Sequence, residues 1–229
     1  MPTLSPTEWL GVYSRKRIIH QWTQLALLSR VECRRVLEVG PGLGLATAML
    51  ANAGYEVETL DHVPPRFAHP RVPHIVQDLA ELSGEAIAGY DAILCCETLE
   101  HLAWDKVPAA LQAFRASGAR HLIVSVPYAA FQLTLDLYLN ARKFEHYFSL
   151  KKLSGRRRFV AQPAGGHQWE VGYRDFPLRA WEARLCDNGW SIVARAFTGH
   201  TRSVFHLLRS AIFAVFACID FGSMWVCCG

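Results

Sequence analysis

The sequence predicts an α/β fold: an open, mostly parallel sheet with helices on both faces. Two observations carry that expectation. Short apolar runs alternate with helix-forming stretches from residue 35 to residue 126, the pattern of linked strand–helix–strand units. The first such run stops at Gly40-Pro-Gly42-Leu-Gly44 and opens at once into a helix, a tight turn that brings backbone close to whatever lies at the strand's end.

Each element follows in turn. Residues 7–30 place Trp9, Leu10, Ile18, Trp22 and Leu25 at helical spacing, so an N-terminal helical segment is predicted over 1–30. Arg35–Val39 (RVLEV) is a first strand, and 43–53 is a helix ended by Gly54. Residues 56–60 (EVETL) alternate as a second strand, 74–77 form a weak third, and 91–95 (DAILC) are apolar throughout, as parallel strands buried on both faces are. A helix over 106–117 ends at Gly118, and 121–126 (HLIVSV) form a fifth strand stopped by Pro127. A helix over 175–188 ends at Asn188-Gly189, followed by an expected antiparallel hairpin of 190–197 with 203–208. The interval 127–174 is an insertion after a strand's carboxyl end, where doubly wound folds place substrate contacts, with an apolar-aromatic helix predicted over 131–148.

A chain of 229 residues with 51% hydrophobic and 19% charged residues is neither disordered nor of a size that needs two domains. One domain over 1–229 is expected. The net charge of +4 permits a nucleic-acid partner without requiring one. Seven cysteines with no C-x-x-C pair read as reduced thiols rather than a thiolate metal site, which favours a cytoplasmic protein. Arg15, Lys16 and Arg17 interrupt the N-terminal apolar stretch, so no signal peptide is expected. Residues 210–228 carry one charge, Asp220. That run, the start of a tail over 210–229, reads as a buried or loosely ordered segment in preference to a membrane contact, because Asp220 and Gly222 break it.

The chemistry gathers at strand ends. The glycines are spaced G-x-G-x-G, with Leu45 where a dinucleotide fold wants its third glycine, and no Lys-Ser/Thr follows as in a phosphate-cradling loop. Glu38, two residues before the first glycine, repels a pyrophosphate but suits a ligand with a cationic amino group. Asp61 closes the second strand, where an acid can accept both ribose hydroxyls. Asp78 closes the third, positioned to accept from an adenine amino group, with Leu79 beside it to pack on the ring.

Together VLEVGPGLG (36–44), TLD (59–61), QDL (77–79), YDAILCCETLEHL (90–102) and HLIVSVP (121–127) resemble the class I S-adenosylmethionine-dependent methyltransferases. The resemblance covers about residues 30–209. It implies a Rossmann-like three-layer sandwich whose mostly parallel, seven-stranded sheet ends in an antiparallel strand. It also implies that Gly40, Gly42 and Gly44 pass under S-adenosyl-L-methionine, that Asp61 and Asp78 hold ribose and adenine, and that Glu97 lies beside the methionine part.

A sulfonium methyl is already activated, so the protein mainly aligns an acceptor and removes its proton. His101 and Glu100, in Glu97-Thr-Leu-Glu100-His101, are the expected base and its neighbour. With His167 of His167-Gln-Trp-Glu170, the set Glu97, Glu100, His101 and His167 also suits a divalent cation such as Mg²⁺ or Mn²⁺. That layout is similar to the small-RNA 3′-terminal 2′-O-methyltransferases; ubiquinone-pathway O-methyltransferases share its first half. The basic run Lys151, Lys152, Arg156, Arg157 and Arg158 suits an anionic acceptor. The main expectation is methyl transfer to an oxygen of a small molecule. Metal-assisted methylation of an RNA 3′ end and a non-catalytic binding protein on the same fold are the alternatives.

Overall fold

The computed structural model describes residues 15–65, 69–129, 132–139, 142–149, 157–163, 165–200 and 214–228. In chain order the elements are α1 (Arg15–Leu28), β1 (Arg35–Val39), α2 (Leu45–Asn52), β2 (Glu56–Asp61), β3 (His74–Val76), β4 (Ala92–Cys96), α3 (Val107–Ala116), β5 (His121–Pro127), β6 (Gln132–Leu139), β7 (Arg142–Ser149), α4 (Leu178–Asp187), β8 (Ser191–His200) and β9 (Ala214–Cys228). They build one nine-stranded sheet, ordered β3-β2-β1-β4-β5-β9-β6-β7, with β8 on β9.

The first five strands are parallel, so their carboxyl ends share one edge. Alternation along each strand then makes three layers. Leu37 and Val39 of β1, Ile93 of β4 and Val124 of β5 feed a cluster with Leu111 and Phe114 of α3 and Trp181 of α4. Val36, Leu94 and Ile123, one residue out of phase, feed a second cluster with Leu27 and Leu28 of α1 and Leu50 of α2. β4 and β5 are apolar on both sides because both sides are covered.

The far half of the sheet departs from expectation. The segment predicted as a helix over 131–148 is an antiparallel hairpin, β6 with β7, and β6 also pairs with β9. QLTLDLYL alternates leucine with other residues at a period of two, and that period fits a strand whenever a partner edge is available. β9 supplies it. Residues 214–228, read from the sequence as a tail, form a 15-residue strand antiparallel to β5, β6 and β8. Gly222 pairs with Thr198 and Asp220 with Gly199, which leaves Phe221 as the extra residue of a bulge beside the one charged position. The strand expected to pair with β8 was 203–208; those residues lie outside the described ones, and β9 takes that place. Among the described residues no helix is long and apolar enough to cross a membrane.

Candidate cofactor and active site

The site assembles at the carboxyl edge of the parallel strands. Between β1 and α2 the chain turns through Gly40, Gly42 and Gly44, with φ of 70°, 56° and 74°. Side chains other than glycine rarely adopt this left-handed region. Gly40 is required twice over, because a Cβ there would lie 2.2 Å from Thr98 Oγ1. A Cβ on Gly42 would meet nothing within 4 Å. That free space belongs to a shallow, solvent-open hollow lined by Gly42, Gly44, Thr47, Thr59, His69 and Val72 among others.

None of the three predicted cofactor carboxylates is among the described residues that line this hollow. Glu38 is buried in β1 and accepts from Thr47 Oγ1 at 2.5 Å, so it reaches the hollow through Thr47. Burial pushes its carboxyl up to about 7, opposed by the Thr47 hydrogen bond. Asp61, at the end of β2, accepts from the His62 main-chain N–H at 2.7 Å, with His62 Nδ1 at the same distance. Asp78 accepts from Ala80 N–H at 2.8 Å and so caps a short 3₁₀ turn over Leu79–Glu81. Leu79 is buried in the larger core cluster.

Past β4 the chain enters Glu97-Thr98 and a 3₁₀ turn over Leu99–His101. Glu97 is the one described non-glycine residue with positive φ, 54°. Its N–H donates to Ser125 O at 2.9 Å, and its Oε1 accepts from Ser125 Oγ at 3.0 Å. Glu100 is fully buried, and neither carboxylate oxygen has a hydrogen-bond partner. Burial, then the charges of Glu97 and Glu170, hold its carboxyl well above the usual carboxylate range.

The insertion closes over this turn. Gln168 N–H donates to Glu100 O at 2.7 Å, Trp169 Nε1 donates to Leu102 O at 3.0 Å, and Val171 bridges Tyr128. His167 is thereby placed with Nε2 3.9 Å from Glu100 Oε1, while its Nδ1 pairs with Glu170 at 2.8 Å. The His101 ring packs edge-on to His167, centroids 5.2 Å apart. Burial and the neighbouring His167 lower its pKa, so the ring is neutral near pH 7.

One oxygen of Glu100 and one nitrogen each of His101 and His167 lie within 4.8 Å of one another. Orphaned carboxylate oxygens beside two imidazoles, one of them oriented by a second carboxylate, fit a divalent cation. Three of the four predicted metal candidates are therefore brought together; Glu97 is held elsewhere, by Ser125. Sequence reading missed Thr47, Thr98, His20 and Ser125. Ser125 sits in an apolar strand, and His20 lies 105 residues from Ser125, its hydrogen-bond partner, so neither has a local signal.

Three comparisons bear on this geometry. A family profile described as "Methyltransferase domain" matches residues 13–194. The ubiquinone biosynthesis O-methyltransferase of Xylella fastidiosa (strain M23) is 31% identical over 156 residues, which span 64% of this chain and 58% of that enzyme. The chain is also similar in fold to an S-adenosylmethionine-dependent methyltransferase from Archaeoglobus fulgidus, with TM-score 0.62 and 13% identity over 96% of this chain and 97% of the other. The methyltransferase domain of bacterial CtHen1 gives TM-score 0.59 and 16% identity over 94% and 100%. A glycine-floored turn after β1 in a β3-β2-β1-β4-β5 parallel sheet, together with a profile match to most of its length, shows that the chain belongs to the methyltransferase-domain family of class I S-adenosylmethionine-dependent enzymes.

Proposed function

We propose that this chain binds S-adenosyl-L-methionine over the Gly40–Gly44 turn and transfers a methyl group to an oxygen of a small-molecule acceptor. The observation that carries the reading is the turn itself: three left-handed glycines, open space above Gly42 and a buried acid at Glu38. The donor fits residues of this kind, since its sulfonium and amino groups are cationic and its ribose offers paired hydroxyls. When bound it supplies an already activated methyl group.

The chain's own residues do the rest. Gly42 lets backbone approach the ligand, Asp61 turns from His62 to accept ribose hydroxyls, and Asp78 and Leu79 stand at the adenine end. Glu97 faces the cationic amino group. His101, neutral near pH 7, accepts the acceptor's proton, and the 165–171 segment screens the reaction from water. Support for oxygen as the receiving atom comes from the curated relatives, named as O-methyltransferases. Calorimetry with the donor tests the cofactor half. Wild type binds it, and Asp61→Ala weakens binding by about 1–3 kcal/mol, the range for lost charged hydrogen bonds. No binding by wild type favours a non-catalytic protein on the same fold.

A second reading rests on the Glu100–His101–His167 cluster. Here the three side chains hold Mg²⁺ or Mn²⁺, which would polarise paired hydroxyls such as those of an RNA 3′ terminus. Arg157 and Arg158 add positive charge on the same insertion. The decisive comparison is a Mn²⁺ titration of wild type against Glu100→Ala, read by calorimetry and by methyl transfer to small phenols and to RNA ends. Saturable binding lost in the variant, with RNA as acceptor, selects the second reading; unchanged transfer without metal selects the first.

A further inference from the structure

Glu97 adopts a strained backbone conformation, and strain of this kind persists only where its surroundings impose it. A series of polar groups running in from α1 reaches the Glu97 side chain. Gln24 Nε2 lies 3.2 Å from His20 Nδ1, His20 Nε2 lies 3.0 Å from Ser125 Oγ, and Ser125 Oγ lies 3.0 Å from Glu97 Oε1. Gln24 and Ser125 are buried, and the His20 side chain is 13% exposed.

The direction of every bond follows from the ends. A Gln Nε2 can only donate, so His20 Nδ1 accepts and Nε2 carries the hydrogen. Nε2–H then donates to Ser125 Oγ, and Ser125 Oγ donates to the Glu97 carboxylate. The result is a one-way series of donors, buried at Gln24 and Ser125 and ending on the exposed Glu97 carboxylate. The Ser125 carbonyl also holds the Glu97 N–H at 2.9 Å. Ser125 thus fixes both the main chain and the side chain of Glu97. Thr98, the next residue, packs on Gly40, which links Glu97 to the glycine turn through the main chain.

We infer that Gln24, His20 and Ser125 are positioning residues that hold the Glu97 carboxylate ready for the cationic amino group of the methyl donor. This rests on the cofactor reading above. It assigns α1 a part in ligand binding besides its packing on the sheet. It also explains why Glu97 stands apart from the Glu100–His101–His167 cluster.

The test is a double-mutant cycle on donor binding, read by calorimetry on the full chain. Ser125→Ala weakens binding roughly tenfold, as for loss of one hydrogen bond to a charged group, and His20→Phe, which keeps bulk without a donor, does the same. In a Glu97→Ala background both substitutions change binding less than about twofold, because the group they act through is gone. Melting temperatures of all variants separate this from misfolding. A tenfold loss that persists without Glu97 shows a merely structural role and overturns the inference. So does a Ser125→Ala protein that binds like wild type. Wild type that binds no donor sinks the cofactor reading itself, and the role of Glu97 with it.

Discussion

Glu38 shows how one side chain couples folding, charge and ligand. It is buried with one hydrogen bond, from Thr47, and its carboxyl is raised from 4.5 to about 7. A carboxyl that holds its proton longer when folded lowers stability as pH rises between those two values, since the unfolded chain has already released it. The ligand-free protein should therefore lose on the order of 3 kcal/mol between pH 4.5 and pH 7 from this group. Glu38→Gln should flatten that decline in urea denaturation profiles followed across the window. A cationic donor nearby favours the ionised form, so binding near pH 6 should release a proton. Calorimetry in buffers of different ionisation enthalpy reads that directly, and no buffer dependence would contradict it.

The glycine turn belongs to the scale of the element, and its glycines are not equivalent. At Gly40 an added methyl meets Thr98 and φ is 70°; at Gly42 the space is open and only φ opposes a side chain. Gly40→Ala should cost about 2–3 kcal/mol of stability, the left-handed penalty plus displacement of Thr98. Gly42→Ala should cost roughly 1–2 kcal/mol of stability from φ alone, yet weaken donor binding more than tenfold by filling the hollow. Paired melting and binding curves for the two variants check the contrast. Equal effects on both measures would mean that the open space over Gly42 is not where ligand lies. The turn over Leu99–His101 works in a similar way: four residues of insertion, stitched to it by Gln168 and Trp169, bring His167 to Glu100.

For the whole molecule, β9 is the member that completes the sheet. It pairs with β5 from Gly222 to Cys228, with β6 from Ala214 to Ile219 and with β8 from Ile219 to Cys228. Removing 214–228 would leave the edge of β5 unpaired in the middle of the structure, beside the buried Leu122, Ile123 and Val124. The truncated chain should melt at least roughly 10 °C lower or fail to fold. A truncation that melts like the full chain would show β9 to be dispensable.

Most of the first half could be read from the sequence, because there the strands carry their own signal. RVLEV and HLIVSV are short apolar runs between turn residues, and a parallel strand covered on both faces has little choice of composition. The glycine turn and its flanking acids, Glu38 and Asp61, were legible for the same reason: each requirement is local. The second half depended on partners. QLTLDLYL and the apolar run at 214–228 suit more than one environment taken alone, and only the mutual pairing of β6 with β9 made both strands. The site divides along the same line. Sequence identified which acids and histidines stand after which strand. Packing alone decided that Glu97 turns to Ser125 and His20, and that Glu100 is buried facing His167. Composition and spacing act over a few residues and so fix elements and turns. The direction of a side chain at a shared edge is set by neighbours distant in sequence, which only the tertiary fold brings together.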